Sequence, residues 1–106
     1  MNNIPQSMNY IQIEKHGDPG VLKLHSMPVP EPGPGEVLIK VAAAGVNRPY
    51  VMQRKGLYPP PPGATNVPGL EVSGTVVSVG QNVSETPINS EVCALVTCGG
   101  YAEYCL

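Results

Sequence analysis

The residues most suited to chemistry lie in the stretch 45–71, between two segments rich in small and β-branched residues. A residue that precedes proline avoids the helical region, whereas proline itself is favourable at the first helical position. We therefore predict a short helix over residues 49–55, with Arg48 at its N-terminal cap and Gly56 ending it. Asn47 would then lie one residue before the cap, which leaves its side-chain amide free for another partner.

The same stretch carries a local positive charge. Arg48, Arg54 and Lys55 are three of the six basic residues, and no acidic residue lies between Glu36 and Glu71. A positive patch in an acidic chain can attract an anionic ligand. A solvated helix face explains the same pattern, and both interpretations stay open at this point.

The sequence contains no recognisable metal or phosphate site. His16 and His25 do not lie at ligand spacing to a cysteine, and a zinc site needs a convergent set of ligands. Gly99 and Gly100 precede a predicted strand rather than a helix, so they do not form a phosphate-binding loop. We predict no metal site and no dinucleotide-binding domain within these 106 residues.

The composition predicts a single, mainly β domain. A chain of 106 residues can support one hydrophobic core. Its apolar residues are rich in valine and include no Phe or Trp, and β-branched side chains favour strands over helices. The 13 prolines and 12 glycines punctuate the apolar segments, which is typical of barrels and sandwiches made of many short strands.

Apolar alternation predicts several strands after a leader over residues 1–7. The strand candidates are residues 8–15, 21–26, 36–46, 70–79, 91–96 and 101–106. The Asp-Pro-Gly sequence at 18–20 is a turn signal that would join the first two strands into a hairpin. Prolines lack the ladder donor, so we predict a stiff loop over the proline-rich segment 57–68.

The charge balance argues against nucleic acid and membrane partners. A formal net charge of −2 gives no general attraction to polyanions. We recognise no signal peptide and no apolar run of membrane-spanning length, and we predict a cytoplasmic protein. Cys93, Cys98 and Cys105 are odd in number and lie among apolar residues, which predicts reduced, buried thiols.

Four motifs give the chain a family resemblance. They are Gly45-Val-Asn-Arg48, Met52-Gln-Arg-Lys-Gly-Leu-Tyr-Pro-Pro-Pro-Pro-Gly63, Gly69-Leu-Glu71 and Gly99-Gly-Tyr-Ala-Glu-Tyr104. Together they resemble the N-terminal, GroES-like part of the medium-chain dehydrogenase/reductase superfamily, in its zinc-independent quinone oxidoreductase branch. The resemblance implies a partly open, incomplete barrel over residues 8–106 with one or two short helices. It also implies that NADPH is bound mainly by a Rossmann domain absent from this chain.

The resemblance further implies roles for four residues. Asn47 is expected to be catalytic, as a polar group near the nicotinamide and the acceptor, and Tyr58 is expected to line the acceptor site or to donate to its oxygen. Asn47, Arg48 and Met52 are expected to contact the cofactor. Each has a plainer alternative: Asn47 as a turn amide, Tyr58 as an aromatic loop anchor, and Met52 as a packing residue.

The chemistry of the acceptor follows from the expected lack of zinc. The zinc-dependent relatives carry a catalytic Cys and a His-Glu pair where this chain has Asn47 and Leu70-Glu71. Alcohol oxidation benefits from a Lewis acid, whereas a quinone or enone spreads the charge of an accepted hydride over its own conjugated system. The resemblance therefore implies a small conjugated acceptor, a quinone or an enone.

The leading hypothesis is an N-terminal catalytic-domain fragment of an NADPH-dependent quinone oxidoreductase, inactive on its own. The alternative is a free-standing GroES-like module that binds a partner or oligomerises without catalysis. An enoyl reductase of the same superfamily is a weaker alternative. Unfinished barrels leave strand edges that can pair with other chains, so we expect a homo-oligomer under either of the first two hypotheses.

Overall fold

The protein is described by a computed structural model that covers residues 4–13, 15–57 and 59–106. The predicted mainly β fold with few short helices is confirmed. The elements in chain order are β1 (Ser7–Ile13), a 3-10 turn (Pro19–Val21), β2 (Leu22–Pro28), β3 (Val37–Ala44), α1 (Arg48–Lys55), β4 (Glu71–Val79), β5 (Glu91–Leu95) and β6 (Tyr104–Cys105).

Strands β1 and β2 form the predicted antiparallel hairpin, which is a sheet of two strands. The Asp18 side chain accepts a hydrogen bond of 3.1 Å from the Gly20 N–H and so caps the turn between them. Strand β1 begins at Ser7, one residue earlier than predicted, and Ser7 pairs with Pro28. The backbone oxygen of Gln6 also accepts from the Val29 N–H, so the pairing reaches into the predicted leader.

The other four strands form a second antiparallel sheet in the order β5-β4-β3-β6. Among the described residues the two sheets stay open and do not close into a barrel. Two register shifts interrupt the pairing of β3 with β4, and the second lies between Val41 and Ala43. Such irregularities bend a strand and redirect its end. Beyond this shift, Ala43 pairs with Ser73 and Ala44 with Val72.

The last predicted strand, residues 101–106, is mostly wrong, because only Tyr104 and Cys105 form a strand. The residues before them bond both to the loop that precedes β4 and to β1, where Ala102 forms an isolated bridge with Tyr10. The Tyr101 N–H donates to the oxygen of Pro68 at 2.9 Å, and the Gly100 N–H donates to the oxygen of Gly69 at 3.1 Å. These bonds hold the start of the segment against the loop. The Ile11 N–H donates to the oxygen of Tyr101 at 2.8 Å, and the Glu103 N–H donates to the oxygen of Asn9 at 3.1 Å, so the segment also pairs with β1 through a single bridge.

The hydrophobic core lies between the hairpin and the larger sheet. One cluster of its buried side chains consists of Met8, Leu38, Val77 and Tyr104, one from each of β1, β3, β4 and β6. Leu38 is only 1% exposed, and burying such a side chain contributes about 1.5–3 kcal/mol. The same cluster therefore fixes the position of β3, whose far end carries the site described below.

Helix α1 begins one residue earlier than predicted. Arg48 is its first residue and Asn47 occupies the cap position, so the prediction of Arg48 at the cap is wrong. The Tyr50 N–H donates to the Asn47 carbonyl at 3.1 Å, a tight first turn that brings Arg48 into the helix. Gly56 ends the helix in the left-handed conformation with φ 79°, as predicted.

The three cysteines are free, but they do not share one environment. Cys98 and Cys105 are buried as predicted, whereas Cys93 is exposed and the prediction for it is wrong. Cys93 lies on β5, which is an edge strand of the larger sheet, and edge strands receive less cover than central ones. In the described parts of the chain, no helix is long and apolar enough to cross a membrane.

Candidate active site at the end of strand β3

A groove of about 540 Å³ opens where the end of β3 meets the start of β4. Small side chains dominate its lining, and one carboxylate faces it. The lining residues are Ala43, Ala44, Gly45, Glu71, Val72, Ser73, Cys93, Ala94 and Leu95. A groove of this size with a small-residue floor admits a flat ligand of modest size.

Gly45 and Glu71 pack against each other at the head of the groove. The Gly45 N–H donates to the backbone oxygen of Glu71 at 3.2 Å. A Cβ on Gly45 would lie 2.6 Å from Cδ and 2.7 Å from Cγ of Glu71, closer than nonbonded carbons approach. Only glycine at position 45 lets the Glu71 side chain lie across the end of β3.

The Asn47 amide does not cap the helix and bonds to another partner, as the sequence predicted, and that partner is Glu71. Its Nδ2 donates a hydrogen bond to Oε1 of Glu71, and the side chain makes no bond to the helix it precedes. Asn47 is exposed, so this contact lies at the rim of the groove. An ionised carboxylate accepts but does not donate, which requires that the amide nitrogen, not the oxygen, faces Glu71.

Tyr101 also contacts the backbone at the end of β3. Its hydroxyl donates a hydrogen bond of 3.0 Å to the Gly45 carbonyl, and its ring meets the Tyr50 ring edge-on at 5.3 Å. Burial raises the pKa of the Tyr101 phenol, and the neighbouring Tyr50 and Glu71 raise it further. The phenol therefore remains protonated at neutral pH and stays a hydrogen-bond donor.

Gln53 connects helix α1 to two other segments of the chain, at Gly69 and at Cys98. It is 6% exposed, and its Oε1 accepts a hydrogen bond of 3.0 Å from the Gly69 N–H. Its Nε2 lies 3.6 Å from Sγ of Cys98. Burial raises the pKa of the Cys98 thiol, although the Gln53 contact lowers it in part. Gln53 thus couples the helix to the entry of β4 through Gly69.

The predicted site residues do not all converge on the groove. Asn47 and Arg48 are exposed at the start of α1, and Met52 is half-buried one turn later. Tyr58 lies outside the described residues. Of these four, the structure brings Asn47 to a groove-lining residue, Glu71.

Two residues of the site were not predicted from the sequence. Glu71 was recognised as part of a motif, as the acid that ends the acid-free stretch and in the place of the His-Glu pair of zinc enzymes, but no role in the site was predicted for it. Tyr101 gave no sequence signal beyond its motif. Among the described residues, no three His, Cys, Asp or Glu side chains lie together in a way that could hold a metal ion.

Comparison with known proteins decides the family. Residues 33–106 match the family model of the alcohol dehydrogenase GroES-like domain, which is more than half of the chain. The chain belongs to this family. The expected GroES-like assignment is therefore confirmed.

The relatives of this GroES-like chain include quinone oxidoreductases. The chain is 43% identical over 101 residues to the quinone oxidoreductase of Lama guanicoe and 41% identical to that of Homo sapiens. Each alignment covers 93% of this chain and 31% of the relative. The chain thus spans about a third of the length of these relatives, and they support an oxidoreductase assignment at the level of the family.

Solved structures share the fold of this GroES-like chain. The human synaptic vesicle membrane protein VAT-1 homolog-like protein has a TM-score of 0.85 at 34% identity, covering 93% of this chain and 32% of that protein. The quinone oxidoreductase from Coxiella burnetii has a TM-score of 0.80 at 32% identity, with 92% and 33% covered. A cobalt- and zinc-bound alcohol dehydrogenase from Pyrobaculum aerophilum reaches a TM-score of 0.82 at 29% identity, with 93% and 38% covered. A quinone oxidoreductase and a metal-bound alcohol dehydrogenase share this fold, so the site residues, and not the fold, must distinguish the two activities.

Proposed function

We propose that this GroES-like chain forms one wall of the active site of an NADPH-dependent quinone oxidoreductase. The observation that carries the proposal is the 43% identity with a quinone oxidoreductase over 93% of the chain. The reaction is hydride transfer from the nicotinamide to a quinone or another conjugated carbonyl. Because the chain spans 31% of that relative, the activity belongs to a longer polypeptide and the 106-residue chain alone is expected to be inactive.

NADPH would supply the hydride, and we propose that Asn47 at the cap of α1, with Arg48 and Met52 in its first two turns, contacts it. With respect to the described residues, Asn47 keeps its Oδ1 and one N–H for the carboxamide of the nicotinamide or for the acceptor, since Glu71 accepts from one N–H. Arg48 is exposed and offers a permanent positive charge to a phosphate. Met52, half-buried on the same helix, offers an apolar contact.

The acceptor would lie in the groove, whose lining residue Glu71 is the partner of Asn47. Ala43, Ala44 and Gly45 leave room for a planar ring, and donors in a water-poor cleft stabilise the charge that develops on an acceptor oxygen. We assign Tyr58 to such a donor role from the resemblance. We also propose that no zinc takes part, because an amide stands at Asn47 where zinc enzymes of the superfamily carry a cysteine ligand.

The first experiment compares the 106-residue chain with the longest product of its reading frame. Both are assayed for NADPH oxidation with a small quinone, with NADH as the alternative cofactor and with an enoyl thioester as the alternative acceptor. We expect quinone reduction by the longer product alone, with NADPH preferred, and unchanged rates after incubation with a chelator. Quinone turnover by the short chain, loss of activity with chelator, or a preference for the thioester would each contradict the matching part of the proposal.

The second experiment tests the assigned residues in the active longer product. We expect Asn47→Ala and Tyr58→Phe each to lower kcat/KM about tenfold or more, the usual effect of removing a hydrogen bond made in the transition state. Lys23→Ala, on the remote hairpin, serves as the control and should keep full activity. Unchanged kinetics in Asn47→Ala would remove that residue from the catalytic assignment.

A binding module without catalysis is the second candidate, and the open sheet edges favour it. Strand β5 is an edge of the larger sheet, and its Leu95 is 85% exposed. We propose that the protein is cytoplasmic and that it associates with copies of itself through such edges. Light scattering would detect the oligomer, and a stable oligomer of a product that never reduces quinones would favour the module over the enzyme.

An enoyl reductase, CurK, shares the fold at a TM-score of 0.80 and 26% identity, which is why the enoyl thioester is included among the acceptors of the first experiment.

A further inference from the structure

The carboxylate of Glu71 is held in one place by the end of β3. The backbone oxygen of Glu71 accepts a hydrogen bond from the Gly45 N–H, and the Glu71 side chain occupies the space that a Cβ on Gly45 would take. The Tyr101 hydroxyl fixes the carbonyl of the same glycine, and the Glu71 charge is close enough to raise the pKa of the Tyr101 phenol. The backbone pairing with Gly45 and the lack of a side chain at Gly45 therefore act directly on the position of Glu71, and the half-buried Tyr101 phenol acts on it through Gly45.

In the described parts of the chain, Asn47 has no comparable support of its own. It is exposed, it lies between β3 and α1, and its side chain makes no capping bond to the helix. The contact that the structure gives this amide is the hydrogen bond from Nδ2 to Oε1 of Glu71. The orientation of the amide thus depends on its neighbour.

The chemistry of the pair determines which end of the Asn47 amide faces Glu71. A carboxylate accepts hydrogen bonds and offers no proton, so it selects the amide nitrogen and turns the amide oxygen away. A neutral amide at position 71 could pair with either end of Asn47, and an alanine with neither. Only a carboxylate at this position gives Asn47 a single orientation.

We infer that Glu71 is a positioning residue that fixes the orientation of the Asn47 amide at the groove. The inference deepens the proposed function and rests on it for its catalytic consequence, but the orientation itself is a property of this chain alone. Glu71 determines which groups of the Asn47 amide remain available to a ligand. These are the oxygen, which accepts, and one N–H, which donates. It acts through Asn47 and needs no contact with the reacting atoms.

The orientation is tested by NMR on the 106-residue chain, without cofactor. The Asn47 side-chain amide signals are assigned by their loss in Asn47→Ala. In the native chain we expect the proton donated to the carboxylate to lie downfield of its partner and to exchange slowly with water. Glu71→Gln, which keeps the size of the side chain, should reduce that separation and speed the exchange. Glu91→Gln, an exposed carboxylate on the neighbouring strand β5, is the matched control and should change neither.

The catalytic consequence is tested by a double-mutant cycle in the longer, active product. We expect Glu71→Gln to lower kcat/KM about tenfold, because a hydrogen bond to a charged group is lost, and Glu91→Gln to leave it unchanged. If Glu71 acts through Asn47, adding Glu71→Gln to Asn47→Ala should cost less than twofold more. Circular dichroism and thermal unfolding of each variant show that it is folded.

The two tests separate the inference from the proposed function. Asn47 signals that are identical in the native chain and in a folded Glu71→Gln variant would overturn the positioning role. The positioning role would also be overturned if the loss of kcat/KM in the double mutant equalled the product of the two single losses, because Glu71 would then act independently of Asn47. Absence of any quinone reduction by the longer product would refute the proposed function and leave the NMR result standing by itself.

Discussion

The Tyr101 hydroxyl donates a hydrogen bond of 3.0 Å to the carbonyl of Gly45, a residue 56 positions earlier in the chain. Gly45 directly follows β3 and packs against Glu71, while the Tyr101 ring contacts Tyr50 of α1 edge-on. One phenol therefore joins the end of a central strand to the helix that follows it. The site at the groove depends on this link, because Asn47 lies between those two elements.

Replacing Tyr101 by Phe removes the hydroxyl and keeps the ring contact with Tyr50. We expect the free energy of unfolding to fall by about 1 kcal/mol, the usual net value of one internal hydrogen bond, as measured by urea denaturation. Tyr10→Phe is the control, since the Tyr10 hydroxyl donates to the side chain of Gln12 on the same strand, and it should cost less. A Tyr101→Phe variant as stable as the native chain would show that the Gly45 carbonyl is satisfied without it.

Gln53 provides a second test of the connections around the site. Gln53→Met retains a long side chain in the buried position but leaves the Gly69 N–H without its acceptor. An orphaned buried donor costs about 1–3 kcal/mol, and urea unfolding should show a loss in that range. Gln81→Ala, at an exposed turn position, should remain within about 0.5 kcal/mol of the native chain. Equal stability of the two variants would contradict the assigned role of Gln53.

The sequence predicted those features of the fold that depend on local pattern. The hairpin, β3, β4, β5 and the end of α1 at Gly56 follow from alternation, turn residues and a glycine cap, all of which act within a few residues. The cap at Asn47 was missed by one residue, because the tight turn closed by Tyr50 is a matter of backbone geometry rather than residue preference.

The partners within the site could not be predicted from local pattern. Asn47 and Glu71 are 24 residues apart and meet where the antiparallel pairing of β3 with β4 continues into the backbone bond from Gly45 to Glu71. Tyr101 was predicted to lie in a strand, but its N–H bonds to Pro68 and its hydroxyl to Gly45. Register and strand order arise from the tertiary packing, so the exposure of Cys93 on an edge strand was also missed.

The three thiols should differ in reactivity. Burial raises the pKa of Cys105 to about 11 and also raises that of Cys98, whereas Cys93 is exposed. At pH 8 about one Cys105 thiol in a thousand is then the reactive thiolate. We expect one rapid modification of the native chain by a thiol reagent, absent in Cys93→Ser, and two further modifications only in denaturant. Three equally rapid modifications would contradict the burial of Cys98 and Cys105.

The same thiols make the stability depend on alkaline pH. A folded-state pKa above the unfolded value means that the unfolded chain releases its proton first, so rising pH favours unfolding. For Cys105 the contribution is fully present below the reference value of 9.0 and is lost progressively as the pH rises to about 11. Urea midpoints measured from pH 8 to pH 11 should therefore fall, and Cys105→Ala should reduce that slope. A Cys105→Ala variant with the native slope would assign the effect to other groups.

Gly45→Ala is the most direct test of the packing at the head of the groove. The added Cβ would stand 2.6 Å from Cδ of Glu71, so the carboxylate must move and its contact with Asn47 must break. Gly45 has no positive φ, and the cost comes from this collision rather than from backbone strain. We expect a loss of about 1–3 kcal/mol in urea unfolding, the range for overpacked sites. Gly20→Ala, where the new Cβ would lie 3.3 Å from Oδ1 of Asp18, is the milder control.

The second variant in this test identifies the atoms responsible. In a Glu71→Ala background the three nearest obstacles to the new Cβ, all side-chain atoms of Glu71, are gone. Gly45→Ala should then cost less than half of what it costs in the native chain, which is the non-additivity expected of two residues in contact. An equal cost in both backgrounds would show that the backbone around β3, and not the Glu71 side chain, requires glycine at this position.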